Sequence, residues 1–491
     1  MYSKNIPYKP IAPTSEDSAR WKITALNRRL VQGTWEQDLE DTLYSHLPAD
    51  RRESWGVPDM SSNALEQVTR QLSQLYHETP KVTVEPETDI TELIGRSGYV
   101  TKSGFFQLMQ RVQQYTLAMR ECCVRIDVSP HSPEADARVA GITYRIVTPD
   151  FVYAEAHPDA PDHMVYYQEY RLRYNKNEDE YEWIIDVIDC RDLANPSFGM
   201  YKIKDDGQVG EDVSELYMYH PTMTGDDYPY RGSDGLPFIP VQLYRAEKTS
   251  QLWNSFDGNS LTIGSLNSAV LSTFYLHLIR DTCWSQKYIA NLTLAGQNAV
   301  DQDFAGRRNT VTTDPSSILV FTSDPDNATQ PMIGSFEPSA DPIKMLESIT
   351  AYEARVALGS GVSSGDVMKQ SGDPRSGYAI SIDRSSQREA QKKFAPIFRY
   401  NDEILLAKTA KLCNRFLNTN LPEKGYRVQY QQLRLSPEEM KAVREDVIAK
   451  LQHNLISPLD AIMELNPDLD EVGAKNELIK IRREKAEFLI P

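Results

Sequence analysis

The sequence predicts an α+β fold in which a mixed N-terminal half is followed by a largely helical C-terminal half, and three observations carry that expectation. Between residues 60 and 245, helix-spaced apolar segments alternate with short β-rich runs bounded by Pro, Gly, Asn and Asp. From Leu261 to Ile279 the chain reads LTIGSLNSAVLSTFYLHLI, apolar at helical spacing and without one charged side chain. From Tyr378 onward, helical periodicity dominates to the end. At 491 residues the chain exceeds the size at which one core keeps growing, so two to four regions are expected.

The first twenty residues contain Pro7, Pro10 and Pro13 and read as an extended arm. A helix is predicted from Ser62 to His77, with Leu65, Val68, Leu72 and Leu75 on one face. Thr79 and Pro80 end it before a strand with Val82 and Val84. Phe105 to Arg120 is a second amphipathic helix, followed by a strand from Cys122 to Val128. Further strands fall at Gly141–Thr148, Met164–Tyr174, Tyr181–Ile188 and Phe238–Tyr244, with Asn175 to Glu180 as a polar hairpin tip.

The charge-free segment invites a membrane reading, since a span needs about 20 apolar residues. Ser265, Asn267, Ser268, Ser272, Thr273 and His277 argue against it, because such groups are rare facing lipid unless paired. Packing against protein on several sides is the better reading, and the helix is expected to continue to about Ile289. A stretch of roughly fifty residues without sustained periodicity follows, with a β-like run at Ser317–Phe321; an insertion of that length reads as a protruding subdomain. The helix resumes at Asp341 with Pro342 at its first position. The Gly- and Ser-rich segment from Gly359 to Gly377 lacks both a preceding strand and a Gly-Lys-Ser/Thr ending, so it reads as a mobile loop without a nucleotide. Beyond it a helix runs from Tyr378 to about Asn418, with a kink expected at Pro396. In the tail, Ser436 with Glu439 and Ser457 with Pro458 mark helix starts, and Asn466 with Pro467 a stop.

Chemistry-bearing motifs are sparse. The pairs Asp205/Asp206 and Asp226/Asp227 offer a magnesium nuclease its carboxylates, yet among 70 acidic residues such neighbours arise by chance. Neither a nucleophile elbow nor a zinc-type His/Cys cluster is present. Cys122, Cys123, Cys190, Cys283 and Cys413 lack metal spacing and read as reduced thiols. Met1 to Pro10 is too polar for a signal peptide, so synthesis in a cytoplasm is expected. No catalytic residue, cofactor or metal is therefore expected. The formal charge of −17 disfavours tight duplex binding; it suits either a surface past which phosphates slide or plain solubility, and the charge alone does not separate the two.

The order of helix, insertion, helix, glycine-rich loop and long kinked helix resembles the portal proteins of tailed bacteriophages, and the tail from Ser436 is similar to that family too. The resemblance implies a portal-like fold: an α/β wing at 1–259, stem helices at 260–290 and 341–358, a small clip at 291–340, a tunnel loop at 359–376, and a long helix with an all-helical crown at 377–491. It further implies a ring of typically twelve copies at one capsid vertex, a conduit for double-stranded DNA during packaging and ejection. Implied partners are the terminase large subunit, a head-tail adaptor, and the major capsid and scaffolding proteins, with no membrane. Under that resemblance Val367, Met368, Lys369 and Gln370 are candidates for transient DNA contact, Arg307 and Arg308 for docking at the clip, and Val270 and Leu271 for the stem interface. The alternative is a structural ring or adaptor of a gene-transfer or virus-like particle, with a nuclease a distant third.

Overall fold

A computed structural model describes residues 14–47, 57–84, 88–89, 104–128, 142–175, 179–204, 209–217, 228–248, 251–253, 260–283, 286–290, 292–294, 321–323, 332–336, 340–359, 385–417, 419–431, 437–466 and 471–488. The chain is a mixture of helix and sheet and divides into two compact units: residues 1–34, 65–259 and 357–491 form one, residues 35–64 and 260–356 the other.

The first unit opens with α1 (Ser15–Gln32), where the sequence suggested an extended arm; residues 1–13 lie outside the described residues. The Thr14 hydroxyl accepts the Asp17 amide at 3.0 Å and starts the helix directly after Pro13. Gly33, at φ 74°, stops it. The next helix, α3 (Ala64–Leu72), is shorter than the Ser62–His77 expected. It ends because the Gln113 side chain accepts the Leu75 amide at 3.1 Å, taking over a donor that a longer helix would satisfy internally.

Strands β1 (Lys81–Val84) and β2 (Thr88–Asp89) pair with β15 (Tyr426–Gln429) in the order β15-β1-β2. Helix α4 (Gly104–Met119) leads into β3 (Glu121–Val128), which lies between β10 (Val241–Arg245) and β4 (Ile142–Val147). Beyond β4 an antiparallel meander runs β5 (Val152–His157), β6 (Ala160–Asn175), β7 (Glu180–Asp189), β8 (Ser197–Ile203) and β9 (Val209–Asp212). The strands read from the sequence at 141–148, 164–174, 181–188 and 238–244 are thus present, while β5 and β8 escaped it.

One core joins these sheets: Phe105, Met109 and Val112 from α4 meet Val124 and Ile126 of β3, and Phe398, Leu405 and Leu412 of α7 (Ser385–Leu417), the 33-residue helix that runs through Pro396. Cys122 and Cys123 are buried free thiols, as adjacent strand residues covered on both faces require.

Two polar nodes are buried in this unit. Arg125 Nη1 lies 2.9 Å from Glu169 Oε2 and 2.6 Å from Asp186 Oδ2, while Arg145 Nε and Arg171 Nη1 reach Asp127 and Asp186 at 3.0 and 2.7 Å. Burial opposes charge on Asp127 and Glu169, but the surrounding arginines override it and hold both carboxyls below their ordinary range. The second node is Asp402 on α7. Tyr76, Tyr244 and Tyr430 donate to its carboxylate at 2.8–2.9, 2.8 and 2.6 Å. Burial nevertheless dominates these donors and pushes the Asp402 carboxyl up to about 6.

A folded-state carboxyl titrating above its unfolded value holds its proton more tightly in the folded chain. The stability from Asp402 is therefore complete below about pH 4 and is lost as pH rises through about 6. Asp127 and Glu169 act oppositely, their contribution being lost only as pH falls below about 4. Urea unfolding of the wild type and Asp402→Asn should diverge between pH 4 and pH 7 by up to roughly 3 kcal/mol, the wild type losing relative stability as pH rises. A constant difference across that range would show that Asp402 does not titrate there.

The second unit contains α2 (Glu36–Ser45), α5 (Ser260–Cys283) and α6 (Pro342–Gly359) as far as Val356. Leu39 and Leu43 bury one face of α2, which packs on α5. Helix α5 stops at Cys283, short of the Ile289 expected, because Gln286–Ala290 is a strand, β11, paired antiparallel with β14 (Met332–Phe336). Tyr288 and Ile289 suit a strand once such a partner exists. A second pair, β12 (Leu292–Leu294) with β13 (Phe321–Ser323), also lies between the two helices among the described residues. The β-like run expected at Ser317–Phe321 lies outside the described residues except for Phe321.

Candidate functional site

The charge-free stretch of α5, Leu261–Ile279, is covered by its own chain through the polar side chains that spoke against a membrane span. Thr273 Oγ1 accepts the Asp59 amide at 2.9 Å, and Asn267 Nδ2 donates to Tyr352 Oη on α6 at 3.2 Å. Ser268 donates to Glu353 Oε1 at 2.5 Å, Ser62 donates to the same oxygen, and the two serine hydroxyls lie 2.9 Å apart. One carboxylate oxygen on α6 thus ties together α5 and the segment that precedes α3. The helices approach so closely at Gly264 that a Cβ there would sit 2.6 Å from Val356 Cγ1. Among the described residues no helix is long and apolar enough to cross a membrane.

Val270, proposed as a stem interface, is buried within this unit at 4% exposure, and Leu271 is half-buried. The uncovered apolar surface lies elsewhere. On α5 it is Ile263 and Leu276; on α6 it is Ile343, Leu346 and Leu358, exposed by 70%, 46% and 60%. These three share a helical stripe with Ala354 and span about 22 Å of helix. Ile349 and Ala357 face inward on the same helix. Ile343 and Leu346 lie one turn apart and form an exposed apolar pair, and Leu358 stands twelve residues further along the helix. Asp341 fixes the start of α6, its Oδ1 accepting the Ile343 amide at 2.9 Å. Lys344, also exposed, stands beside the row.

The proposed docking residues Arg307 and Arg308 and the proposed DNA contacts Val367, Met368, Lys369 and Gln370 lie outside the described residues, as do Asp205, Asp206, Asp226 and Asp227. No cluster of three or more His, Cys, Asp or Glu able to hold a metal occurs among the described residues. The Ser62–Ser268–Glu353 node and the Asp402 node were not read from the sequence. A signal existed for the latter: Asp402 follows Phe398 and precedes Leu405 at four and three residues, which places a carboxylate on a buried stripe.

No protein-family model matches the chain, and no curated protein matches it. Similar solved structures include a chain described as "Virion of native gene transfer agent (GTA) particle", 12% identical, with a TM-score of 0.37 over 85% of this chain and 93% of that one. Another is "Neck of native GTA particle computed with C12 symmetry", 11% identical, with a TM-score of 0.36 over 82% and 90%. At this degree of likeness no residue role passes from those chains to this one.

The burial pattern separates folding from assembly. Val270→Asp should lower thermal stability of the isolated chain by several kcal/mol, since it buries an unpaired charge. Leu346→Glu, at an exposed position, should leave the melting temperature within a few degrees while reducing the assembled fraction in size-exclusion chromatography. Equal effects of the two changes on melting would contradict the division.

Proposed function

We propose that this chain is a ring-forming structural subunit of a tailed-phage-like particle, acting as the portal through which double-stranded DNA enters and leaves. The observation that carries the reading is the helix pair α5 and α6: it brackets two strand pairs, precedes a 33-residue helix, and leaves the Ile343–Leu346–Leu358 row uncovered. A row of that kind repeated around a ring is buried in every copy by its neighbour, whereas a lone chain exposes it. In this reading the strand tip, with Arg307 and Arg308, docks the terminase large subunit during packaging and the head-tail adaptor afterwards. The outer surface meets the major capsid and scaffolding proteins. The chain itself is not an enzyme and binds no cofactor; the motor's ATP drives transport. The acidic balance of 70 carboxylates against 53 Lys and Arg suits a wall past which phosphates slide.

Negatively stained wild-type particles should be closed rings with an open axial channel. Removing Ser363–Ser371 should leave the rings intact and reduce DNA retained per packaged particle, because Val367 and Met368 would no longer graze the duplex and Lys369 would no longer neutralise phosphate there. Open filaments or particles without a channel would contradict the portal reading. Rings that never engage the motor would favour the structural ring or adaptor of a gene-transfer particle.

A further inference from the structure

The three C-terminal helices form a single layer with apolar residues left on its outside. Helix α9 (Pro458–Leu465) packs against both α8 (Pro437–Gln452) and α10 (Glu471–Phe488), and the buried side chains there are small or few: Val447, Ala461, Ile462 and Ala474. Ile448, Leu451, Leu455 and Leu465 remain exposed on the α8–α9 part, Ile479 and Ile481 on α10. Every residue from Ile479 to Arg483 is exposed, so this stretch of α10 stands clear of the layer. A helical segment that short draws its stability from packing rather than from its own hydrogen bonds.

Charge separates these two exposed faces. Residues Pro437 to Asn466 carry six carboxylates against three cations, and Glu445 and Asp446 are strongly exposed. Lys450 is already engaged by Asp446 at 2.8 Å and by Glu464 at 2.6 Å. The distal half of α10, from Lys480 to Phe488, carries four cations and two carboxylates. Two copies meeting through the same α10 face would place like charges together, whereas α10 on the α8–α9 face of another copy joins opposite charge and covers apolar residues on both sides.

The geometry points to a head-to-tail seal in which the distal half of α10 of one copy lies on the α8–α9 face of the next. It rests on the ring reading and names the faces that close the C-terminal end. Because the two faces differ, the contact propagates in one direction around the assembly, as a cyclic ring needs.

The test uses the full-length chain, with mass photometry for assembly and a fluorescent duplex of random sequence as the nucleic-acid probe. Arg482→Glu/Arg483→Glu and Glu445→Arg/Asp446→Arg should each leave the melting temperature nearly unchanged, since all four side chains are exposed, and weaken assembly about 10-fold or more. The quadruple swap should return assembly to within about 3-fold of wild type, a rescue that damage to the fold would not show. Wild-type assembly by both double variants, or a quadruple swap no better than either, overturns the seal while leaving the ring standing. An Arg482→Glu/Arg483→Glu variant that assembles normally and loses duplex binding assigns the basic face to nucleic acid and also overturns it. A wild type that never assembles overturns the seal and the ring together.

Discussion

The second unit depends on one constraint: a helix with no charged side chain from Leu261 to Ile279 must be covered by protein along most of its circumference. Its hydroxyl and amide side chains prescribe the cover. Three of them take partners outside the helix, the Asp59 amide for Thr273, Tyr352 for Asn267 and Glu353 for Ser268, while Ser265 bonds back to the Leu261 carbonyl. Glycine at 264 lets the two helices approach until Val356 occupies the space a side chain would need. Once α5 is covered in this way, α6 becomes the outer helix of the pair, and its row of Ile343, Leu346 and Leu358 becomes the surface left for another chain.

The first unit is governed by buried polar groups instead. Arg125 lies among carboxylates of β3, β6 and β7, so the strands can pair in a register that brings Glu169 and Asp186 to it and in few others. Removing one partner from such a set strands a buried charge, which costs about 3–5 kcal/mol. Asp402 performs a comparable task for α7. Its three tyrosine donors come from the turn after α3, from β10 and from the end of β15, three segments far apart in sequence. This carboxylate ties the long helix to three separate segments, beside the packing of Phe398, Leu405 and Leu412.

Much of this was legible in the sequence, for physical reasons. Helices α4, α5, α6 and α9 announce themselves by apolar spacing and by capping residues; Ser457 and Asp460 form the reciprocal cap that the Ser-Pro start implied. What escaped was contextual. The Thr14 cap starts α1 immediately after a proline-rich stretch that read as an arm. Gln286–Ala290 shares helical periodicity with α5 yet becomes a strand because Met332–Phe336, some forty residues on, pairs with it. Periodicity put the proposed stem contacts Val270 and Leu271 on one apolar stripe, where the structure buries Val270 and half-buries Leu271. It could not say whether that face would meet a neighbour or the chain's own α2 and α6, since both burials look alike in one sequence. The exposed apolar residues of α6, Ile343, Leu346 and Leu358, stand out only after the inward-facing Ile349 and Ala357 are known.

The central claim is that the uncovered row on α6 is closed by another copy of this chain. Mass photometry of the purified wild type across a hundredfold dilution series, beginning near about 1 μM, tests it most directly. The account predicts one dominant species at a fixed whole-number multiple of 55.8 kDa, persisting on dilution. A population that stays at 55.8 kDa throughout, or a ladder of masses with no preferred multiple, would contradict it.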